Sequence, residues 1–325
     1  MSAAQQSEEI DALTSIWERA LRRGAIGTSD DFFDMGGNTC AAIHIFSEIA
    51  DKFGCDLAPA TICEASTIAS LAQAIAAPKS IGSLVPLNVG REDPPLFVTH
   101  GIGSSVVDLV PLARHVKTIH PIYGMEGRGN NGRDIPLDRI EEMAKSFVDS
   151  VRTIQSRGPY YLIGYSLGGL VTLEMAQLLS QSGEDIGFLG LLDSYPDRRA
   201  LSIGQHVRLL GQLARRKLRY RNSAPTPSQT HAEDGGLGGA MQRVKEAQYR
   251  ALRNYRPRFY DGKVTFIRAA VPSYFPKDPV PVWSPLVRDL TVETVPGDHV
   301  GLLSAQVVEV ASALSRSLQV ASQKA

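Results

Sequence analysis

The sequence predicts two folded units in tandem. A small all-α bundle covers residues 1–77, a linker covers 78–85, and a larger α/β domain covers 86–320 with a helical lid insertion at about 197–258. Three observations predict this. Apolar residues recur at helical spacing in the first part. Short apolar runs then alternate with helical patterns, which implies a mostly parallel sheet covered by helices. The alternation stops between Asp193 and Val264, a gap too long for a simple connection. A chain of 325 residues is long enough for both units.

Taken in order, Ser7 can cap a first helix running to about Arg23, with Ile10, Leu13, Ile16, Trp17, Ala20 and Leu21 on one face. After the loop GAIGTSDDFFDMGG, a second stripe consists of Ala42, Ile45, Phe46, Ile49 and Phe53. Ile68, Leu71, Ala72 and Ile75 mark a short last helix. PKSIGSLV, residues 78–85, reads as the linker. Strands are expected at 96–99, 122–124, 160–164, 186–192, 264–267 and 290–295. Helices are expected at 140–154, 167–179 and 303–318. Within the insertion, residues 203–221 read as a basic amphipathic helix, followed by a polar tract and a second helix at 241–255.

Net charge is zero, which gives no footprint for nucleic acid. The distribution is uneven: residues 1–78 hold eleven acidic and four basic side chains, a net of −7, and the remainder holds +7. The two units should therefore attract one another. Cys40, Cys55 and Cys63 lack disulfide or metal spacing. No apolar run is long enough to span a bilayer, and MSAAQQSEEI has no apolar signal core. The expectation is a cytoplasmic protein with no membrane, nucleic-acid or metal partner.

The strongest chemical signal is YYLIGYSLGGL. Gly164-Tyr165-Ser166-Leu167-Gly168 is G-x-S-x-G between a strand and a helix, the context of a nucleophile elbow in an α/β-hydrolase. Such a turn lifts the Ser166 hydroxyl above the strand ends and aims the Leu167 N–H at a developing oxyanion. A serine nucleophile needs a base, and the base an orienting acid, in the chain order Ser, acid, His. Of the histidines after Ser166, His206 and His231 lie in the insertion, whereas His299 follows the last strand in VPGDHVGLL. Asp193 ends a strand in FLGLLDSYP and is preferred to Asp278 as the acid; Asp298 adjoins His299 and cannot easily orient its ring. The loop FVTHGIGSS is expected to give the second oxyanion donor from the Ile102 N–H, with His100 holding the loop.

Further motifs carry a family resemblance. LVPL, PPLFVTHGIG, IYGMEGRG, GPYYLIGYSLGGL, LLDSYP and GDHVGLL resemble, in order, the blocks of type I thioesterase domains of nonribosomal peptide and polyketide synthases. Residues 5–77 resemble the thiolation, or acyl-carrier, domain that precedes them: DDFFDMGGNT stands where that family has D-x-F-F-x-x-G-G-x-S. The resemblance supports Asp193 as the acid. It implies a serine hydrolase that takes an acyl or peptidyl chain from a 4′-phosphopantetheine thioester and releases it by hydrolysis or cyclisation. Upstream synthase modules or a separate carrier would supply the substrate, and a phosphopantetheinyl transferase would attach the arm.

The arm would sit at Thr39, where the resembling family has serine. Threonine adds a methyl group, which makes the alcohol hindered and stiff. Thr39 also stands where the second helix should begin and can cap it. Two readings of the chain therefore compete: a carrier fused to its releasing thioesterase, and an editing thioesterase whose first domain docks without carrying. A simple carboxylesterase and a pure docking module are weaker, given the triad pattern and the long insertion. Arg215, Arg216 and Arg219 in the basic segment are expected to guide an acidic carrier surface.

Overall fold

The first apolar stripe becomes α1, Ala3–Leu21, in a computed structural model that describes residues 3–197, 204, 237–271 and 276–322. The helix starts before Ser7, which lies inside it. It stops at Leu21 because Arg22 turns left-handed at φ 52°. Leu13, Ile16 and Trp17 are fully buried. α2, Thr39–Phe53, is capped by Asn38, whose side chain accepts the Ala41 N–H at 3.0 Å, and ends at left-handed Gly54. Thr39 is thus the first helical residue and not the cap. α3, Ile68–Ala76, opens with a Thr67/Ser70 capping box. Phe32 drops from the loop into the core, edge-on to Trp17 at 5.6 Å. A side chain at Gly37 would strike that ring at 2.4 Å, so the Gly-Gly step admits the aromatic plug.

A seven-stranded sheet follows: β1 Leu84–Asn88, β2 Leu96–Thr99, β3 Ile122–Met125, β4 Tyr160–Tyr165, β5 Ile186–Leu192, β6 Tyr260–Ala269 and β7 Val287–Val295. Their spatial order is β1-β3-β2-β4-β5-β6-β7. Every pairing is parallel except β1 with β3. β1 takes Leu84 and Val85 from the expected linker. Pro86 is tolerated there because β1 is an edge strand. β2 and β4 are buried along their whole length, as parallel strands covered on both faces must be.

α5 (Ile140–Ile154) and α6 (Leu167–Gln181) cover one face of the sheet, burying Phe147, Val151, Leu170 and Leu173 with Leu162 and Phe266. α4 (Val110–His115) and α9 (Val307–Ser322) cover the other, burying Leu112, Val310 and Leu314 with Val98 and Ile163. α4 and the single turn α8 (Val280–Trp283) were not anticipated. The last helix starts at Val307 because a 3₁₀ turn, Val300–Leu303, precedes it.

Of the insertion, α7 (Leu237–Asn254) is described. Apart from Gly204, the expected basic segment at 203–221, including Arg215, Arg216 and Arg219, lies outside the described residues, as do His206 and His231. No helix among the described residues is long and apolar enough to cross a membrane.

The bundle sits on the sheet domain. Val107 and Leu237 join the bundle's apolar cluster, and Ala60 joins the sheet domain's. The charge asymmetry becomes specific contacts. Arg114 forms a two-pronged pair with Asp31 at 2.8 and 2.9 Å and reaches Asp34 at 3.0 Å, with its guanidinium 4.9 Å from the Phe33 ring centre. Arg133 holds the Asp56 carboxylate at 2.6 Å. Partial burial alone would raise the Asp31 pKa, but Arg114, the Ser66 hydroxyl and the Asp34 amide bring it down to about 2.

Candidate active site

The elbow forms because three strictures meet at one turn. Ser166 adopts φ 55° and ψ −120° between β4 and α6, a conformation rare for a residue with a side chain. The Ser166 N–H donates to the Leu192 carbonyl at 3.0 Å, which ties the turn to the next strand. A Cβ at Gly164 would lie 2.3 Å from the Gly168 carbonyl oxygen, and one at Gly168 would lie 2.6 Å from the His100 carbonyl oxygen. Both positions are therefore closed to any larger residue.

Three expected side chains converge over the C-terminal ends of parallel strands. His299 Nε2 is 3.1 Å from Ser166 Oγ, and His299 Nδ1 is 2.9 Å from Asp193 Oδ2. Asp193 follows β5 and is buried. Its amide donates to Ile267 on the neighbouring strand, and its second oxygen accepts the Ala269 N–H at 3.2 Å. The carboxylate is thereby fixed at the strand edge. The rival Asp278 is exposed and accepts the Val280 N–H just ahead of α8; Asp298 accepts the Gly301 N–H. Tyr165, the variable residue of the elbow, stacks on the His299 ring at 5.0 Å and donates its phenol to the His299 carbonyl at 2.7 Å. Burial, reinforced by the nearby Asp193 charge, pushes the Tyr165 pKa up, so the phenol remains a donor.

The loop after β2 passes against the nucleophile: a Cβ on Gly101 would lie 3.1 Å from Ser166 Cβ. Ile102 and Leu167 both line the cavity beside Ser166. His100 anchors the loop's start, with Nδ1 3.0 Å from the Gly101 carbonyl and Nε2 3.4 Å from Glu126. Burial alone would lower the His100 pKa, but the Glu126 carboxylate raises it. Buried Gln248, on α7, accepts the Gly103 N–H at 2.8 Å, so the lid helix braces this loop directly.

A cavity of 1440 Å³ lies over Ser166 and extends to the bundle. Its wall includes Gly37, Asn38 and Thr39 at the start of α2, and Tyr249 and Arg250 of α7. Thr39, the expected attachment point, faces the sheet domain and is 4% exposed. Its Oγ1 is 2.9 Å from Ser105 Oγ, and its N–H donates to Asp108 Oδ1 at 3.0 Å. A phosphopantetheine arm esterified to Thr39 would set a phosphodiester beside the Asp108 carboxylate, in place of the bond to Ser105. These residues do not fit that group in the docked arrangement. No cluster of three potential metal ligands occurs among the described residues.

Sequence reasoning missed Ser105, Asp108, Gln248 and the role of Tyr165. Tyr165 lay within the elbow motif and Ser105 at the end of FVTHGIGSS, but Ser105, Asp108 and Gln248 act across 66, 69 and 145 positions of chain.

Comparisons with known proteins identify two families along the chain. The profile of the family described as "Thioesterase domain" matches residues 94–318, and that described as "Phosphopantetheine attachment site" matches residues 11–75. A dimodular nonribosomal peptide synthase of Bacillus subtilis (strain 168) is 30% identical over 303 residues, which cover 86% of this chain and 13% of the synthase. Among solved structures, a four-domain nonribosomal peptide synthetase bound to AMP and glycine shares the fold at a TM-score of 0.61 and 23% identity, covering 95% of this chain and 26% of that one. The Vlm2 thioesterase domain aligns at a TM-score of 0.52 and 26% identity, over 72% of this chain and 96% of that domain.

Proposed function

This chain belongs to the thioesterase domain family, with a phosphopantetheine attachment domain ahead of it, and on that premise we propose that it is a serine thioesterase releasing acyl or peptidyl chains in nonribosomal peptide or polyketide biosynthesis. The observation that carries the reading is the continuous contact of Ser166, His299 and Asp193 at 3.1 and 2.9 Å on the floor of a large cavity.

Ser166 Oγ attacks the thioester carbonyl carbon while His299 Nε2 takes its proton. Asp193 holds the Nδ1–H side of the ring and stabilises the imidazolium. The Leu167 and Ile102 N–H groups receive the oxyanion. On collapse, the carbon–sulfur bond breaks and His299 gives the proton to the leaving thiolate, which departs as the thiol. Water, or a nucleophile within the acyl chain, then attacks the acyl-enzyme with His299 again as base. The strained Ser166 backbone supports this assignment, since such strain persists only where the surroundings enforce it.

The substrate is a phosphopantetheine thioester presented by upstream synthase modules or by a separate carrier. The compartment is the cytoplasm, where the three free cysteines would remain reduced. A second reading of the first domain is favoured by one observation: Thr39 is buried against Ser105 and Asp108. In that reading the domain docks without carrying, and the enzyme edits acyl thioesters brought by others.

The test is a comparison of matched thioester and oxygen-ester substrates, with a fluorophosphonate as the active-site probe. A thioesterase shows thioester preference and a single label on Ser166. A label elsewhere, or preference for the oxygen ester, would overturn the proposal.

A further inference from the structure

Thr39 has two polar groups of use to a partner, its hydroxyl and its amide, and the sheet domain engages both. Ser105 Oγ meets the hydroxyl at 2.9 Å and Asp108 Oδ1 accepts the amide at 3.0 Å. The other Asp108 oxygen accepts the Ser104 hydroxyl at 2.6 Å, so the carboxylate is held in place. It lies at the N-terminus of α2, a helix of 15 residues, where the Thr39 N–H and the helix dipole favour an anion. The phosphodiester of an arm on Thr39 would bring its charge to that same end of the helix. Two anions cannot share it without strong repulsion.

We propose that Ser105 and Asp108 form a docking site for the N-terminus of α2, and that in this chain docking and arm attachment compete for Thr39. The dock is strengthened at its rim by Arg114 on Asp31 and Asp34, and by Arg133 on Asp56. Arm attachment is attack of Thr39 Oγ1 on the β-phosphorus of coenzyme A. The pyrophosphate bond breaks, adenosine 3′,5′-bisphosphate leaves, and the hydroxyl proton passes to a base of the transferase. That oxygen is closed to a transferase while Thr39 remains 4% exposed. Once attached, the phosphodiester expels Asp108 and opens the dock. Docking thus reports whether the domain is loaded, independently of whether Ser166 is a nucleophile.

The experiment uses the full chain in a Thr39→Ser background, which removes the steric handicap of threonine. The rate of mass gain is followed with coenzyme A and a broad phosphopantetheinyl transferase. Adding Asp108→Ala and Arg114→Glu should speed the gain of one arm by tenfold or more. Equal rates with and without those changes would overturn the proposal. Arg114→Glu alone, at a half-exposed position, is the milder variant and should give a smaller increase in the same direction. Hydrogen exchange gives a second readout: protection of the Thr39 amide should fall in both variants and on loading. Protection that is unchanged would equally refute the dock.

Discussion

Two hydroxyls in this chain each stand at the start of a helix behind glycine, and their surroundings are opposite. Ser166 precedes α6 in a left-handed turn, opens into a cavity, and faces the imidazole of His299. Thr39 opens α2 in ordinary helical geometry, is 4% exposed in the wall of the same cavity, and faces the neutral hydroxyl of Ser105 with a carboxylate at its amide. One hydroxyl lies 3.1 Å from an imidazole nitrogen at the mouth of a helix N-terminus left open to the cavity. The other has its helix N-terminus already occupied by Asp108. A helix start after glycine is therefore not itself a reactive site; the groups brought to it from distant chain decide.

The comparison can be broken most sharply at Ser166. Ser166→Ala should lower thioesterase turnover about a millionfold, about 8 kcal/mol, by steady-state assay; retention of substantial activity would remove the contrast altogether. Asp193→Asn should cost about 10⁴-fold in kcat with little change in KM, because the ring of His299 would lose its orienting acceptor. A change confined to KM would point to a binding role instead.

Gly164→Ala tests the backbone. The added carbon would lie 2.3 Å from a carbonyl that cannot move away, so about 3 kcal/mol of stability should be lost, roughly 6–12 °C in Tm by calorimetry. Wild-type Tm would mean that the elbow relaxes freely. Thr39→Val, by contrast, removes one hydrogen bond and should cost about 1 kcal/mol in denaturant unfolding of the docked form. Gln248→Leu leaves the Gly103 N–H unpaired; about a fivefold drop in kcat, roughly 1 kcal/mol, would show that the lid helix braces the oxyanion loop. No change in kcat would make that contact purely structural.

Much of the site was readable because it is written locally. The elbow needs a strand, two glycines, a serine and a helix within a few residues, and each requirement leaves a mark on the chain. Asp193 and His299 follow from strand ends and chain order, since parallel strands deliver their C-terminal residues to one edge of the sheet. β1 was hidden because Pro86 argues against a strand unless the strand is known to be an edge. Thr39 looked like the helix cap because threonine often is one. Asn38 takes that role because its side chain reaches the Ala41 amide.

By itself the sequence determined what repeats or lies close together: helical stripes in the bundle, buried strands in the sheet, the elbow, and the −7/+7 division of charge. Periodicity and short-range sterics act within a few residues, so they can be read along the chain. Tertiary structure alone decided how that charge was used, through Arg114 on Asp31 and Arg133 on Asp56, and what became of Thr39. Hydrogen bonds and ion pairs act over about 3 Å of space whatever their separation in sequence. Only folding could bring Ser105 and Asp108 to the start of α2.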